Sequence, residues 1–310
     1  MDKTGRGGII GLLRPCFLMI YWCCAAHPPA AGFFAFAGGG ERKGRYMLND
    51  YQPILYTAPQ TQDEMHLYFL HDAHMGNAEH STARLNAFLK KVADDPVAQV
   101  LVIGDMCENV VAGSKGDVFY QVYPPHEQKY RAKEIFADLH KAGKLLAVVP
   151  GNHERNRITR TTSMFPLYDA CVMAGCEGLY RQHFAVIDIA LGYRPGMAGK
   201  SGGGQQHYVG YITHRAKDLV NFHTADTIDG IDFFAFGHDH NPKDKPRGKL
   251  VYDINKKMLR QKTVEVINCG SFLDYGGYAV DGGYRVPAQK LYMLRLLDKG
   301  RGMETVGFYV

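Results

Sequence analysis

Three short apolar runs, each ending on polar residues, constrain this chain most. They are LYFLHDAH (67–74), AQVLVIGD (98–105) and KLLAVVPGNHE (144–154). Each is short and apolar throughout, as a strand covered on both faces is. Between the first two, Leu85, Phe88, Leu89 and Val92 recur at helical spacing within 81–92. Between the second and third, His126 to Ala142 has a helical pattern that Gly143 closes. A β–α–β–α–β order points to parallel strands joined by crossover helices. After Gly178 the texture changes. LYRQHFAVIDIAL, HYVGYITH, IDFFAFGHDH, TVEVINCGSF and KLYMLRLL are strand-like with little helix between them. The expectation is one α/β domain over 47–310 with two β layers.

Composition narrows the chemistry. The chain has 310 residues and a formal charge of +5. Residues 1–46 hold six of the 36 basic and two of the 31 acidic residues, so the other 264 carry 30 against 29. The body is nearly neutral and gives no electrostatic footprint for extended duplex binding. Three of the seven cysteines lie before residue 46, and the other four form no Cys-x-x-Cys pair. They read as reduced thiols in a cytoplasmic protein.

Residues 1–46 stand apart. The run is apolar but broken by Arg14, Pro15, His27, Pro28 and Pro29, and it lacks the ~20 apolar residues of a membrane span. Stable membrane association is therefore not expected. One reading makes it a stretch ahead of a true start at Met47. Another makes it signal-like, with an apolar core from Cys16 to Trp22 and small residues at Cys24-Ala25-Ala26, and then the protein is exported. A structural or membrane-contacting segment is the third.

The polar tips of the strands carry the functional argument. They supply Asp72 and His74, Asp105, Asn152, His153 and Glu154, His214, then His238 and His240. In open α/β sheets the carboxyl ends of strands gather at one crevice. A lone Asp there is usually a cap and a lone His a satisfied rim residue. Five strand ends carrying such groups are harder to satisfy without a cation. Mixed oxygen and imidazole donors suit Mn, Fe or Zn better than Ca.

The ordered set D-x-H, G-D, G-N-H-E, H and G-H-x-H resembles the calcineurin-like metallophosphoesterases over most of 67–280. NCGSFLDYGGYAVDGGYR (268–285) is similar to a phage and bacterial branch. The resemblance implies a four-layer α/β/β/α sandwich with a dinuclear site at strand ends. It implies that Asp72, His74 and His240 hold one metal, that Asn152, His214 and His238 hold another, and that Asp105 bridges them. Manganese is the first choice, with Fe, Zn or Ni as alternatives. It further implies that His153 sits over the reaction centre as general acid and that Glu154 orients it. Two departures stand out: His214 is followed by Arg215 rather than Gly, and Asp239 sits inside the last motif, outside the expected ligand set.

The activity so implied is phosphoester hydrolysis by water activated between two metals, with diesters favoured over monoesters. Nucleotides and nucleic-acid ends are among the substrates that fit. The alternative is a non-catalytic scaffold of the same fold. A single-zinc amide or ester hydrolase explains fewer of these residues. Arg155, Arg157 and Arg160 are either a solvated loop or phosphate contacts. Tyr275 and Tyr278 either pack at a sheet edge or stack on a base. Oligomeric state is not legible in the sequence.

Overall fold

The computed structural model describes residues 50–114, 116–194, 204–214 and 223–310. The extension 1–46, the start at Met47, most of the glycine-rich loop after Arg194, Arg215 and the Tyr278 side chain lie outside the described parts. No helix among the described residues is long and apolar enough to cross a membrane.

The three apolar runs form β2 (Glu64–Leu70), β3 (Ala98–Ile103) and β4 (Leu145–Val149), paired parallel in that order. The crossovers are α1 (Thr82–Asp94) and α2 (Pro125–Lys141). The strands β11 (Leu291–Leu297) and β12 (Gly302–Phe308) extend this sheet antiparallel on the β2 side. A second sheet runs β1 (Ile54–Thr57), β5 (Ala185–Arg194), β6 (Gly204–Thr213), β7 (Phe233–Phe236), β10 (Met258–Asn268), β8 (Lys243–Asp244). A further strand, β9 (Arg247–Asp253), pairs with β10 alone.

Side-chain alternation sorts each inner strand between two cores. Met65, Leu67 and Phe69 face the second sheet, where Ile187, Ile189, Tyr208, Ile212 and Phe233 meet them. Tyr68 and Leu70 face the helices, against Phe88 of α1 and Phe136 of α2. This double burial is why the runs read as continuously apolar. The helix α3 (Pro166–Ala174) completes that outer layer through Leu167, Ala170 and Cys171. On the other outer face, Phe234, Phe236, Val264 and Val266 pack with Ala225 of the short helix His223–Thr227. The layers run α/β/β/α, as expected, with the second helical layer thin among the described residues.

Several elements escaped the sequence reading: β1, β12, α3, the outer half of β10, and a π-helical turn over His153–Thr159. The four cysteines at 107, 171, 176 and 269 are buried free thiols, consistent with their reading as reduced.

Candidate metal centre

Every expected tip lies past the end of its strand rather than on it. β2 stops at Leu70, β3 at Ile103 and β7 at Phe236. Beyond them the backbone turns left-handed, with φ of 42° at Asp72, 48° at His74 and 48° at Asp105. His238 and His240 also lie there, at 78° and 52°. His238 and His240 do not share one side of an extended chain; a tight loop aims each at a different cluster.

Two glycines permit this convergence. A Cβ on Gly104 would lie 2.3 Å from the Gly151 nitrogen, and one on Gly151 would lie 2.0 Å from Asp105 Oδ1. The loops after β3 and β4 touch backbone to backbone, so neither position has room for a side chain.

The first cluster is Asp72, His74 and His240. His240 Nε2 is 3.2 Å from Asp72 Oδ1 and 3.1 Å from His74 Nε2. The second is Asp105, His214 and His238. Asn152 joins it: His214 Nε2 is 3.1 Å from Asn152 Oδ1 and 3.0 Å from Asp105 Oδ2. Asp105 also lies 4.0 Å from His74 Nε2, so it stands between the clusters. All seven expected ligands come together. Asp239 is exposed, and its Oδ2 accepts from Asn268 Nδ2 at 3.4 Å.

Two buried atoms test whether a cation fits. Asp72 Oδ1 and Asp105 Oδ2 have no hydrogen-bond partner, although both residues are fully buried. Each faces imidazole nitrogens instead. An unpaired buried carboxylate oxygen is costly. The surrounding ring nitrogens that bear no proton cannot satisfy it, whereas a cation satisfies both kinds of atom. The electrostatics agree. Burial opposes charge on His74, but Asp72 and Glu108 outweigh it and hold the ring up at about 10. Burial likewise opposes charge on His214, but Asp105 and Asp72 hold it at about 9. The carboxylates thus favour positive charge at both rings, and a cation bound there would take the place of the protons.

The supporting residues are fixed from behind. His214 Nδ1 faces the Ile103 carbonyl at 2.7 Å, leaving Nε2 for the centre. The His238 amide donates to Asp72 Oδ2 at 2.9 Å and the His153 amide to Asp105 Oδ1 at 2.8 Å, so each carboxylate presents its other oxygen. Such orientation of ligands by their neighbours is general in metal sites.

Glu154 has a different part from the expected one. It does not orient the His153 ring. Its carboxylate accepts from the amides of Gly151 at 2.7 Å, Asp105 at 3.0 Å and Cys107 at 2.9 Å, clasping two strand ends together. Burial, then the Asp105 charge, pushes it up to about 7. The residue at the His153 ring is Glu108. Its carbonyl lies 3.1 Å from His153 Nδ1, its Oε2 lies 3.3 Å from the same atom and 2.9 Å from His74 Nδ1, and its Oε1 pairs with Arg157. Sequence reasoning missed Glu108; the only signal was an acidic residue three positions past a strand-tip aspartate. Of the three arginines, Arg157 is thus engaged in the centre and Arg160 is exposed. The Tyr275 hydroxyl donates to the Tyr284 carbonyl at 2.8 Å.

No family model matches the sequence, and no curated protein matches it. Solved structures do resemble the fold. Vps29 from Entamoeba histolytica complexed with Zn2+ is 12% identical, with a TM-score of 0.35 over 79% of this chain and 98% of that one. A metallophosphoesterase from Sphaerobacter thermophilus is 11% identical, with a TM-score of 0.37 over 79% and 88%. A predicted phosphoesterase from Streptococcus pneumoniae is 11% identical, with a TM-score of 0.31 over 79% and 98%. These superpositions are loose, so the weight falls on the chain's own strand order and on where its strand ends meet. By that measure, two facing sheets bring five spaced motifs to one mouth, the α/β/β/α arrangement that the motif resemblance to the calcineurin-like metallophosphoesterases implies.

Proposed function

We propose that the protein is a metal-dependent phosphoesterase, with phosphodiesters preferred over phosphomonoesters. Asp72, His74 and His240 hold one divalent cation; Asn152, His214 and His238 hold a second; Asp105 serves both. Manganese suits this set of oxygen and imidazole donors, with Fe, Zn or Ni as substitutes. The observation that carries the reading is the pair of unpartnered buried oxygens, Asp72 Oδ1 and Asp105 Oδ2, each ringed by histidine nitrogens. Bound there, divalent cations would lower the pKa of water and neutralise phosphoryl oxygens.

The chain's own groups supply the rest. The Glu108 carbonyl accepts a hydrogen bond from His153 Nδ1–H at 3.1 Å, which leaves Nε2, 3.8 Å from Asp105 Oδ2, facing the centre. When protonated, Nε2 can hand its proton to a departing oxygen, and the Glu108 carboxylate stabilises the imidazolium. Arg157 neutralises Glu108, which fixes that carboxylate rather than contacting substrate. Glu154 holds the loop of Asn152 and His153 against the loop of Asp105. The presence of all seven expected ligands and of His153 favours an enzyme over a scaffold.

The test pairs elemental analysis of the purified protein with hydrolysis of bis-p-nitrophenyl phosphate and p-nitrophenyl phosphate in added Mn2+. Metal at two ions per chain and faster diester turnover are expected. Asp105→Asn should abolish metal-dependent hydrolysis; near-normal turnover in that variant overturns the assignment. Bound metal with no activity on either ester favours the scaffold.

A further inference from the structure

The outer half of β10 leaves its sheet with β9 as its one strand neighbour. β7 pairs with β10 only from Glu265 to Asn268, whereas β9 pairs from Met258 to Val264. Leu250 lies opposite Gln261 and Tyr252 opposite Leu259, so these four share one face. That face is open: Leu250 is 73% exposed, Tyr252 57% and Leu259 59%. The far edge of β9 has no strand beside it among the described residues. Lys245, in the same register, donates its amide to Val266. By alternation Gly248, Leu250 and Tyr252 then turn their amides and carbonyls outward. An apolar two-stranded ribbon with a free edge is a template for another strand.

We infer that β9 pairs antiparallel with β9 of a second copy of this chain, about a twofold axis at Leu250. The segment Arg247-Gly-Lys-Leu-Val-Tyr-Asp253 is complementary to itself in that register. Arg247 of one copy meets Asp253 of the other, twice. Gly248 meets Tyr252, whose ring covers the bare glycine. Leu250 meets Leu250. The two open faces join into one apolar surface on a four-stranded sheet. Arg247 already donates to Asp226 at 2.7 Å, and a guanidinium has donors for both carboxylates. A heterologous strand would satisfy the edge as well, but only a second copy matches both charges and the glycine–tyrosine pair at once.

The pairing leaves the metal centre open. Asn268 of β10 pairs with Phe236, where the histidine loop begins. Met258 lies at the other end of β10, about 30 Å away at strand rise. Hydrolysis therefore serves as an internal control for folding and is independent of the association.

The experiment is sedimentation velocity on the full chain over a range of concentrations, with site-directed cross-linking. The mass should rise with concentration to twice that of one chain. Leu250→Lys with Tyr252→Lys should hold it at one chain, with unchanged circular dichroism and hydrolysis. Leu250→Cys should oxidise to a covalent dimer above the wild-type background, because directly opposed Cα atoms lie ~5.5 Å apart, within disulfide range. Ile254→Cys, equally exposed at 78% but facing a different residue, should not. A wild-type chain that stays monomeric overturns the proposal and gives the edge to another partner. So does a dimer that the two lysines leave intact, or equal cross-linking from both cysteines.

Discussion

Gly151→Ala adds one methyl group at the point where two strand ends touch. Its Cβ would lie 2.0 Å from Asp105 Oδ1, 2.6 Å from Asp105 Cγ and 2.3 Å from the Asp105 backbone nitrogen. The carboxylate can swing, but the backbone cannot, so the two loops must part by roughly 1 Å to regain van der Waals distance. Glu154 Oε2 now accepts from Gly151 and Asp105 at 2.7 and 3.0 Å. A 1 Å separation stretches at least one of these bonds past use. Hydrogen bonds to a buried charged group are worth about 1.5–3 kcal/mol each. The Asp105 Oδ1 to His153 amide bond, 2.8 Å, is lost with them. The expected stability loss is about 3 kcal/mol. A misplacement of that size at a reacting centre costs about 100-fold in rate. The assay is thermal melting, metal content and diester hydrolysis, all at a temperature where circular dichroism shows the variant folded. Gly178→Ala is the control: its Cβ would meet nothing within 4 Å. Gly151→Ala with wild-type metal content and turnover would refute the close-approach argument.

Three further outcomes follow from other parts of the molecule. His153→Ala should keep its metal content and lose about 100-fold or more in hydrolysis, with the loss growing as the leaving group becomes poorer; a uniform loss across leaving groups counts against the proton donor. Arg295 beside Glu64, with His66, holds the Glu64 carboxyl down from 4.5 to about 2, so its contribution is complete above pH 4.5 and fades as pH falls toward 2. Both partners are part-exposed, so Glu64→Gln should cost only ~1 kcal/mol in urea unfolding at pH 7 and almost nothing near pH 2. Phe69→Ala, between the sheets and fully buried, should cost about 3–5 kcal/mol with little effect on metal binding in the folded fraction.

The sequence showed the crossover sheet because its strands are buried on both faces and carry no polar alternation to confuse them. It showed the candidate ligands because each follows closely on such a strand. It did not show Glu108. That residue reaches His74 and His153 only because Asp105 and Asn109 turn the chain left-handed, at 48° and 52°, and no periodicity records such a turn. Glu154 was visible but misassigned: the resemblance implied that it orients the His153 ring, whereas the π-helical turn directs its carboxylate back to three amides. The helix α3 had ordinary signals, Pro166 at its start and Gly175 after its end. They were obscured by an apolar content without a polar face. The outer half of β10 carries Arg260, Gln261 and Lys262 in a row, with no apolar alternation to mark a strand, and only pairing with β9 makes it one.

The five left-handed residues in the centre explain why it depends on the cores around it. Asp72, His74, Asp105, His238 and His240 all have φ between 42° and 78°. Aspartate and histidine tolerate this region better than most residues, yet each still costs on the order of 1 kcal/mol. Five together are comparable with the net stability of a domain. A free loop would relax. Here the turns are tied down: Asp72 donates its amide to Gly104, His74 to Asp105, the His238 amide donates to Asp72 Oδ2 and Phe272 donates to Asp72, while the ends of β2, β3 and β7 lie buried behind them. The strain aims side chains from separate strands at common points, where the carboxylates of Asp72 and Asp105 crowd together with several imidazoles. The double core pins the backbone against that strain, and cations bound at the two clusters would add attraction between the converging carboxylates and rings. Removing metal should therefore loosen these turns first and leave the inter-sheet core intact. Amide exchange would register this as faster exchange at His74, His153 and His238 with β2 and β3 unchanged. Equal loss of protection in both would mean that the core depends on the metals too.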